Sequence, residues 1–184
     1  MLTGATIFLV GLSGAGKSTL AEALMAQIAR DFLRPVTLLD GDIVRTHLSA
    51  GLGFSRADRE TNIQRVGFVA SEITRHGGLV VCALIAPFES ARQVVRAQVA
   101  PLGNFYLAYI ATSLAVCESR DPKGLYAKAR SGQLPGFTGV SDPFEAPSDA
   151  EFIIDAAVVP VADAVSQFIA RLQADGVLAA SVVR

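Results

Sequence analysis

The sequence predicts an α/β fold in three layers: a five-stranded, mainly parallel sheet with helices on both faces, plus a lid. Three observations predict it. Short apolar, β-prone runs alternate with apolar stripes of helical period. A glycine-rich loop joins the first run to the first stripe. Late in the chain, one long segment rich in Gly, Pro and charge shows neither period. The 184 residues suit one domain, 1–184, with the lid at about 120–147.

The elements follow in order. Thr6 to Val10 is an apolar strand. Lys17 to Arg30 places Leu20, Leu24 and Ile28 on one helical stripe, with Ala21 and Met25 beside it. Val36 to Leu39 is a second strand and ends at Asp40-Gly41-Asp42. Ile63, Val66, Val69, Ala70 and Ile73 share a helical face. Leu79 to Ile85 is a continuous apolar run, as a strand buried on both faces should be. Phe105 to Ile110 and Phe152 to Ile154 are two more strands, and Val165, Phe168, Ile169 and Leu172 form the last stripe. About five strands separated by helices imply a parallel sheet, whose ligands bind beyond the carboxyl ends of the strands. The glycine loop, Asp40 to Asp42 and Pro87 all fall there. Arg120 to Pro147 carries only a short helical stretch at Leu125 to Arg130. Loops of that length in compact domains are uncommon and are often lids.

Composition narrows the function. Apolar residues make up 51% of the chain, enough for a substantial core, and the net charge of −1 supplies no global field for nucleic acid or a membrane surface. Neither is expected as a partner. The two cysteines, Cys82 and Cys117, lie in apolar surroundings and read as buried thiols. His47 and His76 show no metal-ligand spacing. The longest strongly apolar run, Leu79 to Phe88, is too short to span a bilayer. No basic region precedes the first apolar stretch, so it does not read as a signal peptide, and a cytoplasmic enzyme is expected.

The glycine loop carries the chemistry. Gly11-Leu12-Ser13-Gly14-Ala15-Gly16-Lys17-Ser18 matches G-x-x-x-x-G-K-[ST] without departure, between a strand and a helix. This is a P-loop, and the fold is of the P-loop NTPase type. Glycines let backbone N–H groups turn toward phosphate oxygens, and the helix N-terminus adds partial positive charge. Lys17 can reach the β- and γ-phosphates, and the Ser18 hydroxyl can ligate Mg²⁺. A dinucleotide fingerprint fits worse, because Thr19 stands where its third glycine or alanine belongs.

Asp40-Gly41-Asp42 adds two carboxylates one residue apart. One can hold Mg²⁺ through water, while the other can orient and deprotonate an attacking hydroxyl. Which does which stays open. A plain turn with Asp42 as helix N-cap explains Asp42 but leaves Asp40 idle. Arg45, Arg56, Arg59 and Arg65 follow. Arg56 and Arg65 read as solvated helix faces, whereas Arg45, three residues beyond Asp42, points to the same side. An arginine fork suits sulfate or phosphate on an acceptor. Phe54, between Gly53 and Ser55, is either a core anchor or a stacking surface for a base.

These residues carry a resemblance. Leu39-Asp40-Gly41-Asp42, the stretch Leu52-Gly53-Phe54-Ser55-Arg56-Ala57-Asp58-Arg59-Glu60-Thr61-Asn62-Ile63, Asp121-Pro122-Lys123-Gly124-Leu125-Tyr126 and Gly136-Phe137-Thr138-Gly139 resemble the adenylylsulfate kinase (APS kinase) family. The likeness runs from about Ile7 to Asp155. It implies transfer of the ATP γ-phosphoryl group to the 3′-hydroxyl of adenosine 5′-phosphosulfate in sulfate assimilation. The products are 3′-phosphoadenosine 5′-phosphosulfate and ADP. It implies that Gly11, Ser13, Gly14, Ala15, Gly16, Lys17, Ser18 and Thr19 hold ATP, with Arg120 against its adenine. Lys17, Asp40 and Asp42 are the expected catalytic residues, and Ser18 and Asp40 the Mg²⁺ site. Asp42, Arg45, Phe54, Arg59, Asn62, Ile85, Lys123, Gly136 and Phe137 are implied for the acceptor, whose adenine lies between Phe54 and Phe137. A homodimer is implied, and a fusion or association with ATP sulfurylase is compatible with the resemblance.

Some positions depart from the family pattern. Ile43 replaces an asparagine common after the second aspartate, and Phe8 stands in for a tryptophan usual near the first strand. Ala86, in Ile85-Ala86-Pro87-Phe88, replaces a serine assigned as a phosphoenzyme residue. Alanine cannot carry phosphate, so direct in-line transfer is expected. Two other readings compete: a kinase of the same fold for a nucleoside monophosphate or sugar acid, and a sulfonucleotide-binding module without turnover.

Overall fold

β1 (Ala5–Val10) is buried at every position because strands pair with both of its edges. In the computed structural model, which describes residues 3–179, β1 sits at the centre of a five-stranded sheet of order β2-β3-β1-β4-β5. Positions 1, 2 and 180–184 of the expected 1–184 span lie outside the described residues. The other strands are β2 (Val36–Asp40), β3 (Leu79–Leu84), β4 (Asn104–Ile110) and β5 (Phe152–Ile154), and every pairing is parallel. The helices are α1 (Lys17–Phe32), α2 (Gly41–Thr46), α3 (Arg56–Arg75), α4 (Glu89–Val99), α5 (Leu114–Arg120), α6 (Leu125–Arg130) and α7 (Val161–Ala174).

Successive strand residues face opposite sides of the sheet, so the strands divide the core in two. Ile7, Leu9, Val81 and Ala83 pack with Leu20, Leu24 and Ile28 of α1 and Phe168 and Leu172 of α7. Phe8, Val10, Cys82 and Leu84 pack on the other side with Ile63, Val66 and Ala70 of α3 and Val95 and Val99 of α4. The expected helical stripes are therefore the buried ones, except that Val69 and Ile73 are only partly covered. β1, β2, β4 and α1 run a residue or two beyond their expected ends, β5 matches, and β3 stops one residue short at Leu84. Cys82 and Cys117 are free and buried, as expected. Burial pushes both thiols above their ordinary pKa, which makes them unreactive. No helix among the described residues is long and apolar enough to cross a membrane.

The chain turns from β1 to one side of the sheet, then crosses to β4 on the other. That switch point puts the loop after β1, the start of α2 and the loop after β3 together at the carboxyl ends of the strands. The expected lid is largely irregular, with α6 and one bridge, Thr138 to Asp142, as its ordered pieces. It is anchored. Tyr126, Ala129 and Phe137 are buried in the α1–α7 core, and Tyr126 Oη donates to Ser13 O at 2.9 Å.

Candidate active site

The phosphate loop is built by backbone that only glycine adopts easily. Gly16, the residue before α1, has φ 106°, and a Cβ on Gly11 would meet Ile110 O at 2.6 Å. The loop opens into a cleft of about 1070 Å³ lined by Ser13, Gly14, Gly16, Lys17, Ser18 and Thr19. Gly11 and Ala15, expected among the ATP contacts, do not line it. Gly11 O accepts from Lys17 Nζ, and Ala15 is fully buried, its carbonyl accepting from Thr112 Oγ1. Lys17 Nζ donates to Gly11 O at 3.0 Å and Leu12 O at 2.7 Å. Burial pushes this ammonium down to about 8, partly offset by Cys117, Asp40 and Asp42.

The helix cap falls on the other aspartate from the one the plain-turn alternative would use. Asp40, not Asp42, caps α2: its Oδ1 accepts from Asp42 N at 3.0 Å. Its Oδ2 accepts from Ser18 Oγ at 2.7 Å, so Asp40 ties the cap to the phosphate loop. Asp42 is left in the first turn with a side chain 74% exposed, paired with Lys123 Nζ from the lid. Among the described residues, no cluster of three or more His, Cys, Asp or Glu could hold a metal.

The same cleft is lined by Arg45, Phe54, Arg59, Asn62, Ile85, Ala86, Pro87, Gly136 and Phe137. Ser55 caps α3, accepting from Asp58 N at 3.1 Å, which sets Phe54 just outside the helix. Phe54 is 66% exposed, so it is not a core anchor. Arg45 does not stand free beside Asp42. Its Nη1 donates to Gly53 O at 2.6 Å, and its guanidinium lies 4.8 Å from the Phe54 ring centroid.

Arg59 is also more occupied than an anion fork would be. Its Nε donates to Phe54 O at 2.8 Å, Nη1 to Thr138 Oγ1 and Nη2 to Gly136 O, with Asp142 3.7 Å away. Every guanidinium nitrogen is therefore committed to joining the two segments that carry Phe54 and Phe137. Asn62, on the same face of α3, is 5% exposed, and its Oδ1 has no partner. Phe137 packs edge-on against Tyr126, ring centroids 5.0 Å apart.

Arg120 reaches Gly14 O and Ala156 O, both at 3.2 Å, beside the phosphate loop. Ala156, Val159 and Val161 line the cleft with it. Sequence reasoning missed these apolar wall residues, because nothing distinguishes them locally from core. It missed Tyr126 and Thr138 as tethers for the same reason. Arg56 and Arg65 are exposed, as expected of solvated faces, with Arg56 4.1 Å from the Phe88 ring centroid and Arg65 donating to Leu48 O at 3.1 Å.

Comparison with known proteins agrees with this geometry. The adenylylsulphate kinase family model matches residues 3–155. A sulfate adenylyltransferase from Chaetomium globosum is 49% identical over 175 residues, 95% of this chain. The chain spans only 30% of that relative's length. Among solved structures, the Mycobacterium tuberculosis APS kinase in complex with AMPPNP and APS is 34% identical, with TM-score 0.89 over 94% of this chain and 99% of that one. A hexameric APS kinase from Thiobacillus denitrificans is 40% identical, with TM-score 0.74 over 97% of this chain and 30% of that one. The phosphate loop, the paired aspartates, the shared cleft and a match across residues 3–155 place the chain in the adenylylsulfate kinase family.

Proposed function

We propose that the chain phosphorylates the 3′-hydroxyl of adenosine 5′-phosphosulfate with ATP, releasing ADP. The observation that carries this is the single cleft, lined both by the phosphate loop and by Asp42, Phe54 and Phe137. Its volume of about 1070 Å³ is at the top of the range for a small-molecule site, as two nucleotides would require. The M. tuberculosis relative, described as a complex with AMPPNP and APS, supports the same pair of ligands.

Each residue then has a task. The phosphate-loop N–H groups and Lys17 hold the β- and γ-phosphates and stabilise charge as the γ-phosphoryl group moves. Arg120 and the apolar wall at Ala156 and Val159 receive the ATP adenine. Ser18 and Asp40 fit Mg²⁺, since a hydroxyl and one carboxylate suit an ion that keeps waters and takes substrate phosphates. When bound, that ion neutralises phosphate charge. Asp42 accepts the proton of the 3′-hydroxyl. Lys123 pairs with it here, and an incoming phosphosulfate offers Lys123 a second anion, freeing the carboxylate. Asn62 Oδ1 offers an acceptor to a sugar hydroxyl. Ala86 lines the acceptor end with no nucleophile, which favours direct transfer.

A homodimer belongs to this reading through the family resemblance. A tie to ATP sulfurylase is supported by the matched region lying within longer sulfate adenylyltransferases. The reaction is assigned to the cytoplasm, where ATP is abundant.

Steady-state turnover with ATP, Mg²⁺ and adenosine 5′-phosphosulfate tests the proposal, with the product identified by mass. Formation of 3′-phosphoadenosine 5′-phosphosulfate with stoichiometric ADP is expected. Phosphorylation of AMP or gluconate instead, or binding without ADP release, would contradict it.

The stacking role has its own probe. Phe137 is 8% exposed and packed on Tyr126, so its truncation confounds stability with binding. Phe54 is the cleaner choice. Phe54→Ala is expected to weaken the acceptor by about 1–3 kcal/mol, the range for a base stacked on an aromatic ring. The ATP KM and the melting temperature should hardly move. An unchanged acceptor KM would remove Phe54 from the site.

A further inference from the structure

We propose that Arg92 is a positioning residue for acceptor phosphorylation, clamping the loop after β3 to the far hinge of the lid. The inference rests on the kinase reading above.

Arg92 sits on the first turn of α4 and is 2% exposed. Its Nη1 donates to Ala86 O and its Nη2 to Glu145 O, both at 2.8 Å, and its guanidinium lies 6.0 Å from the Phe144 ring centroid. Among the described residues no carboxylate forms an ion pair with it, and its Nε is buried without a partner. A buried cation held mainly by carbonyls is a poor stabiliser, and a hydrophobic residue of that volume would serve a core better. What the guanidinium does is span two segments that α4 alone cannot join.

Both segments belong to the acceptor end. Ile85, Ala86 and Pro87 line it from the sheet side. Ala86 has φ 42°, a left-handed conformation that a residue with a Cβ keeps only when its surroundings hold it. Glu145 closes the lid segment that carries Gly136 and Phe137. The same junction is reinforced from Glu145: its N–H donates to Pro87 O at 2.9 Å, and its carboxylate accepts from Glu89 N at 2.6 Å. That carboxylate supplies the α4 N-terminus with the cap that Phe88 cannot. The lid thus has separate anchors, Tyr126 on Ser13 beside the ATP end and the Arg92–Glu145 junction beside the acceptor end.

The division predicts a selective defect. Arg92→Met should raise the acceptor KM at least about tenfold while the ATP KM stays within about twofold, and Glu145→Ala, which loses only the tie to Glu89 N, should raise it less. Arg92→Lys, which can reach one carbonyl at a time, should fall between Arg92→Met and wild type. A merely structural role would lower the active fraction, so that kcat fell with both KM values unchanged. Glu145→Ala keeps the carbonyl that Arg92 bonds, so Arg92→Lys decides the matter if Arg92→Met does not fold. Wild-type turnover together with an unchanged acceptor KM in the folded variants would overturn the inference alone. A wild-type chain that does not phosphorylate the acceptor would overturn the kinase reading and the inference with it.

Discussion

Replacing Lys17 with alanine is expected to lower kcat by about a thousandfold or more, the scale seen when one charged or hydrogen-bonding group is removed from a transferring phosphoryl group. The geometry explains why nothing can substitute. Lys17 is the cation rooted in the phosphate loop itself, 9% exposed, with its Nζ on Gly11 O and Leu12 O. Those carbonyls fix where the ammonium sits and do not neutralise it. Loss of the lysine removes charge that the reaction needs as negative charge redistributes over the γ-phosphoryl oxygens. The fold should survive, because Lys17 is buried at a cost and not by packing advantage. A kcat within tenfold of wild type would exclude this role.

The same burial gives a pH signature. Lys17 is lowered to about 8 in the free protein, so the charged form is lost as pH rises through that value. Activity that needs the ammonium should therefore fall on the alkaline side. Since kcat/KM reports the free enzyme, kcat/KM for ATP should decline above about pH 8. Bound phosphates favour the charged lysine, so the kcat profile should break at higher pH. A kcat/KM profile flat to about pH 9.5 would show that Lys17 stays charged by other means.

Asp42→Asn is the second large effect, expected at about 10²–10⁴-fold in kcat, the range for a positioned general base. Asparagine preserves size and keeps the backbone N–H that Asp40 caps. It removes the carboxylate that accepts the hydroxyl proton. ATP affinity should change much less than kcat, because the Asp42 side chain is paired with Lys123 of the lid, while Asp40 is the aspartate bonded to Ser18 of the phosphate loop. The division of labour seen in the structure makes the comparison with Asp40 informative. Asp40→Asn should loosen the α2 cap and the Ser18 contact together, and so disturb ATP binding as well. Near-normal kcat in Asp42→Asn would remove it as proton acceptor.

What could be read from the sequence was local. The P-loop declares itself through glycine spacing and a strand–helix context, and a parallel sheet follows from alternating β and α patterns. The helical stripes at Leu20, Leu24 and Ile28, and at Val165, Phe168 and Leu172, are the packed faces because amphipathic period reports burial directly. The aspartate pair was less legible. Two acids around one glycine can cap the same helix, and only the end of β2 at Asp40 decides which does. The arginines were least legible. Arg45 and Arg59 look like free cationic forks in sequence, yet their guanidinium groups are bonded to carbonyls, including those of Gly53, Phe54 and Gly136. Arg92 and Glu145 carry no sequence signal at all, since the contact joins residues 53 apart through a backbone carbonyl. Tertiary contacts of this kind are what a propensity or a motif cannot encode.

The account turns on two adenine nucleotides sharing one cleft, end to end. A crystal structure of this chain with AMPPNP and adenosine 5′-phosphosulfate tests that directly. We expect one purine beside Arg120 and a second between Phe54 and Phe137, with the acceptor 3′-oxygen near Asp42 and in line with the γ-phosphorus. A single occupied purine site, or a second nucleotide bound away from both phenylalanines, would contradict it.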